Sequence, residues 1–88
     1  MEKYKMRMII EANDLKNNMK RLDGQIKKFT DRGTLDPTVL ALMKAQYEHM
    51  CSYFNTLLLR CEMLFSQDEL YKLYNILDND SKKDKTNG

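Results

Sequence analysis

Between Glu2 and Phe29 the apolar residues Met8, Ala12, Leu15, Met19, Leu22, Ile26 and Phe29 fall at alternating steps of four and three. That alternation draws one stripe along an α-helix, because 3.6 residues complete a turn. Lys, Asn, Asp and Glu fill most positions between them, so the opposite face is wet. Gly24 lies on that wet face, at a cost of about 1 kcal/mol relative to alanine. The spacing predicts a helix over 2–29, about 40 Å long.

Thr30-Asp31-Arg32-Gly33-Thr34-Leu35 breaks the pattern, and Gly33 can take the positive φ that a chain reversal often needs. Asp36 then reads as an N-cap and Pro37 as the first helical residue, where a missing N–H costs nothing. The second helix is predicted over 37–65. Its main stripe is Val39, Met43, Met50, Phe54, Leu57, Cys61 and Leu64, interrupted by Gln46. Leu40, Tyr47, Cys51, Leu58 and Phe65 widen the stripe, and Leu42, Tyr53 and Leu59 stand elsewhere on the circumference. One partner helix cannot cover so much apolar surface. Ser66-Gln67-Asp68-Glu69 is a capping box, with Phe65 and Leu70 placed as a hydrophobic staple. It opens a short amphipathic helix over 67–77, carrying Leu70, Leu73, Tyr74, Ile76 and Leu77. Residues 79–88 hold no apolar side chain and are expected to be disordered. The expected fold is all-α: a long antiparallel helical hairpin, a short third helix, one domain over 1–78, and a polar tail.

Charge changes this picture only slightly. The net formal charge is +2, but residues 1–30 hold eight Lys/Arg against four Asp/Glu, so the first helix is mildly basic. Such an excess suits a small anionic ligand and falls far short of the dense basic stripe of a nucleic-acid binder. No apolar run approaches a membrane span, and no apolar leader precedes the first helix. A cytoplasmic protein that contacts neither membrane nor nucleic acid is therefore expected. Cys51 and Cys61 sit ten residues apart in one helix, about 15 Å, beyond disulfide reach. Buried thiols in a reducing compartment follow.

The residues that carry chemistry are few. His49 is the single histidine. No nucleophile motif, glycine-rich phosphate loop or metal-ligand spacing accompanies it, so neither catalysis, nor a cofactor, nor a metal is expected. Tyrosine beside a cation is the pattern with content, since the ring can stack on a nucleobase while the cation meets a phosphate. Tyr4 with Lys5 and Arg7 forms one such group; Tyr47 with Lys44, and Tyr53 with Arg60, form looser ones. Solvated tyrosines edging a core would show the same spacing. A hairpin turning near Gly33 brings Tyr4, Arg7 and Glu11 close to Arg60 and Glu62. Tyr4, Lys5, Arg7, Glu11, Tyr53 and Arg60 are accordingly the candidate ligand-binding residues. Tyr47, Cys51 and Leu58 are the candidates for an interface with a second copy, at least as a dimer.

The run Tyr4-x-x-Arg7-x-x-x-Glu11-x-x-x-Leu15, continuing through Met19, Leu22 and Ile26, resembles the first helix of small accessory proteins of crAss-like and other tailed phages. There a Tyr/Gln-rich start leads into Arg, Glu and Leu at similar spacing. Leu42-x-x-x-Gln46-x-x-x-Met50-x-x-Tyr53-x-x-x-Leu57-x-x-Arg60 resembles that family's second helix. In architecture and size the chain is also similar to the phage anti-CBASS sponges, which hold cyclic oligonucleotides with Tyr and Lys/Arg between subunits. It lacks their tryptophan-containing second helix, so no ligand residue is carried over. The resemblance implies a phage-encoded accessory protein in the cytoplasm of an infected bacterium; with the excess apolar surface and the tyrosine–cation groups, the leading expectation is an oligomer that sequesters a cyclic nucleotide or related immune signal. The alternative expectation is an interaction module that binds, and inhibits or scaffolds, a host or phage protein.

Overall fold

The computed structural model describes residues 1–78 in full and contains three helices, α1 (Lys3–Arg32), α2 (Pro37–Leu64) and α3 (Gln67–Asn87). α3 runs past its expected end near 77, to Asn87. The side chains of 79–88, where a disordered tail was expected, lie outside the described residues.

α1 runs three residues past its expected end. Thr30 donates its hydroxyl to the Ile26 carbonyl at 2.7 Å, and Arg32 places a cation where the helix dipole is negative. Gly33 then stops the helix at φ 63°, and its N–H donates to the Phe29 carbonyl at 3.0 Å. A side chain at this φ would be strained, which is why glycine stands here. Asp36 caps α2 as expected, its carboxylate accepting from the Thr38 N–H at 2.7 Å with Pro37 at the first position. Four residues thus join α1 to α2, and the two lie antiparallel.

At the other end the reversal takes two residues. Phe65, extended at φ −91° and ψ 147°, closes α2 by donating its N–H to the Cys61 carbonyl at 2.8 Å. The capping box forms reciprocally: the Ser66 N–H donates to Glu69 Oε1 at 2.9 Å, and the Glu69 N–H to Ser66 Oγ at 3.3 Å. α3 folds back mainly onto α1.

The core gathers where all three helices meet. Met8, Ile9 and Ala12 from α1, Leu57 and Cys61 from α2, Phe65, and Leu73 and Leu77 from α3 form one buried cluster, with Phe54, Leu58 and Leu70 against it. Leu15, Leu22 and Ile26 continue the α1 stripe toward the turn, where only two helices pack. α2 departs most from expectation. Of its stripe only Leu57 and Cys61 are buried, while Val39 and Leu64 are exposed. A single partner helix shields one side of it, so no residue of α2 between Pro37 and Thr56 is fully buried. The backbone extends over 47 × 29 × 16 Å.

Candidate functional site

The side of the hairpin facing away from α3 carries a groove of about 400 Å³. Arg7, Glu11, Asp14 and Asn18 form its polar rim, Ile10 and Leu15 its apolar floor, and Tyr53 of α2 its far wall. The rim residues repeat the four-three-four steps of the core stripe, displaced by one position. They therefore stand beside the buried stripe rather than opposite it. Glu11 accepts a hydrogen bond from the Tyr53 hydroxyl, which ties the two walls together. That bond holds the Tyr53 phenol above its ordinary pKa; desolvation adds to the shift, and nearby Arg60 opposes it. Arg21 donates to Asn18 Oδ1, so arginines bracket the stripe at both ends. A cation, two carboxylates, an amide and a phenol thus converge on one open surface. Such a set can pair with phosphate through Arg7, take donors through Glu11 and Asp14, and stack a ring on Tyr53.

The six candidate ligand residues divide. Arg7, Glu11 and Tyr53 share the groove. Arg60 lies close enough to Tyr53 to influence its titration but lines no part of the groove. Lys5 points the other way, donating to Glu69 Oε1 at 3.0 Å and lying 3.6 Å from Glu2, with its side chain only 12% exposed. Its ammonium also sits 5.9 Å from the Tyr4 ring centroid. Bonding to Glu69 raises the Lys5 pKa, while Glu69 is lowered by the Ser66 N–H first and by Lys5 second. Lys5 thus fastens α3 to α1, and Tyr4 stays with it outside the groove. Asp14 and Asn18 went unread in the sequence, although their four-three-four spacing from Arg7 was visible there.

The interface candidates are half-buried within their own chain. Leu58 packs on the core, and the Tyr47 hydroxyl bonds to the Cys51 thiol, which raises its pKa, beside Asp23 and Lys27. The more exposed surface lies on the opposite flank of α2. There Leu42, Ala45, Gln46, His49 and Met50 line a second groove of about 460 Å³, which meets the first at Tyr53. A third hollow, of about 410 Å³, lies between α2 and α3 and includes Phe54, Tyr71 and Tyr74. Tyr74 donates to Glu62 Oε1 at 3.1 Å. Cys61 is fully buried, and burial raises its thiol pKa.

Among the described residues no group of three His, Cys, Asp or Glu could hold a metal ion, and no helix is long and apolar enough to cross a membrane. No curated protein and no solved structure matches the chain. Residues 2–63, which contain α1, nearly all of α2 and every residue of both hairpin grooves, match the Sequestin family, whose name denotes sequestration. That match spans more than two thirds of the chain, and the protein belongs to the Sequestin family.

Proposed function

We propose that this protein is a phage-encoded binding protein that sequesters a nucleotide-type signal of host immunity, acting as an oligomer and without catalysis. The observation that carries this reading is the Arg7–Glu11–Tyr53 groove, which lies inside the segment matching the Sequestin family. Tyr53 offers the stacking face, Arg7 the phosphate contact, and Glu11 an acceptor for a base or ribose donor once the phenol releases it. The groove is open, and a ligand lying in it would keep one side in water. A second copy placed over it would supply the missing wall, which supports the oligomeric reading.

Thermal unfolding with cyclic di-AMP, cyclic di-GMP and cyclic GMP–AMP tests this, with AMP and inorganic phosphate as comparisons. A ligand at a hundred times its Kd stabilises the folded state by about 2.7 kcal/mol, enough to move the midpoint measurably. Arg7→Met and Tyr53→Ala are each expected to weaken binding about tenfold or more, since base stacking on an aromatic is worth about 1–3 kcal/mol. No shift with any of these nucleotides would overturn the ligand class. The exposed α2 groove favours one alternative, a host or phage protein as the sequestered partner. It predicts stoichiometric capture of a single host protein that survives Arg7→Met.

A further inference from the structure

α2 carries a second heptad seam that its own chain leaves uncovered. Leu42, Gln46, His49, Tyr53, Thr56 and Arg60 follow one another at steps of four, three, four, three and four, and all six are exposed. Val39 and Met63 extend the series by a further three residues at either end. Leu42 is 65% exposed, Tyr53 48% and Met63 86%. The charge pattern separates this seam from an ordinary solvated face. The other charged residues of α2, Lys44, Glu48 and Glu62, all fall off it, leaving Arg60 as its one fixed charge. A helix face that stays in water carries charges every turn or so; this one omits them over Val39 to Thr56.

We infer that a second copy of this chain covers the seam, with the two α2 helices antiparallel about a twofold axis between Gln46 and His49. In that register each residue faces the one equally far from the axis on the partner helix. Leu42 meets the partner's Tyr53, an aliphatic group against an aromatic ring. Gln46 meets the partner's His49, and an amide against an imidazole forms a hydrogen-bonded layer that penalises any slipped pairing. Arg60 comes level with the partner's Leu35 and Asp36, a cation beside a carboxylate at the start of α2. A parallel pairing would instead set Arg60 against Arg60 and His49 against His49, like groups across the axis, and is disfavoured. The antiparallel arrangement accounts for Arg60, which lines neither groove of its own chain. It also sets the partner's α2 along the outer edge of Tyr53, giving the Arg7–Glu11 groove the wall it lacks. The pairing does not depend on which ligand that groove takes.

Light scattering on the full chain after size exclusion is the test, with helicity followed by circular dichroism. The wild type is expected at about twice the 10.5 kDa chain mass. Leu42→Glu and His49→Glu, both at exposed positions, are expected to reduce it to the single-chain mass while remaining helical. Leu59→Glu, exposed about 100° around α2 from the seam, is expected to leave the double mass unchanged. Arg60→Glu sets two carboxylates together and is expected to weaken association at least tenfold. Asp36→Asn in the same chain keeps the cap and removes the repulsion, so it should recover much of the loss. A wild type that runs as a single chain at high micromolar concentration overturns the inference. So does a Leu42→Glu chain that still runs as a dimer, or a loss in Arg60→Glu that Asp36→Asn leaves untouched.

Discussion

Leu73 and Leu22 are both buried leucines, yet the structure sets different costs for truncating them. Leu73 has no exposed surface and lies among Met8, Ala12, Leu57 and Cys61, where three helices meet. Removing its three outer carbons leaves a hole walled on every side, and a packed wall relaxes only partly. Leu→Ala at such sites costs about 2–5 kcal/mol, and full enclosure places Leu73→Ala at about 3–4. Leu22 lies 9% exposed in the two-helix part of the hairpin, outside the main cluster. Water and neighbouring side chains can fill its vacancy, so Leu22→Ala belongs at or below the lower limit, about 1–2 kcal/mol. In a domain of this size about 1 kcal/mol moves the midpoint by roughly 4–8 °C, so Leu73→Ala should fall about 12 °C or more and Leu22→Ala roughly half as much. The assay is thermal unfolding by circular dichroism at one fixed protein concentration, because association adds to apparent stability. If Leu22→Ala proves the costlier change, the main core does not lie at the three-helix end. If Leu73→Ala merely frees α3 in a separate early transition, the cluster is not one cooperative unit.

The Glu69 carboxyl should give stability an acid dependence. Folding lowers its pKa below 4.5, so the unfolded chain takes up the proton first; its contribution is full above about 4.5 and is lost as pH falls through the lower native value. Glu69→Gln keeps the reach back to the Ser66 N–H but removes the charge, and an acid titration of the midpoint should show a shallower fall than in the wild type. Gly24→Ala should raise stability by about 1 kcal/mol in thermal unfolding, because the added methyl meets nothing within 4 Å and glycine is a poor helix former. Asp36→Ala should lower stability by about 0.5–2 kcal/mol and Asp36→Asn far less, a comparison that isolates the cap from the charge by the same measurement.

The parts of this fold legible in the sequence are those set by local chemistry. Asp36-Pro37, the Ser66–Glu69 box and Gly33 act through hydrogen bonds and φ values within four residues, and each does in the structure what its neighbours dictate. The α1 stripe was also legible, because α2 covers it along its length. Ile9 was missed since it is buried on the flank where α3 lands, and that docking direction has no local signal. α2 was harder still. A stripe records which side chains are apolar, not whether anything lies over them, so Val39 and Leu64 read as core and stand in solvent. The site shows the same division. The turn position implied Arg60 and Glu62 as the neighbours of Glu11, whereas Glu11 takes the Tyr53 hydroxyl, and Lys5 went to Glu69 because adjacent residues on a helix point about 100° apart.

Two functions divide along that line of register. α3 lies beyond the family match, contributes Leu73 and Leu77 to the interior, and holds itself to α1 through Lys5 and Glu69. It lines neither hairpin groove. α1 and α2 bear both grooves and the uncovered seam, but between the turn and Phe54 they have little interior of their own. The third helix therefore works as a buttress: it anchors one end of the hairpin while the other leaves open an α2 face that carries no charged residue from Val39 to Thr56.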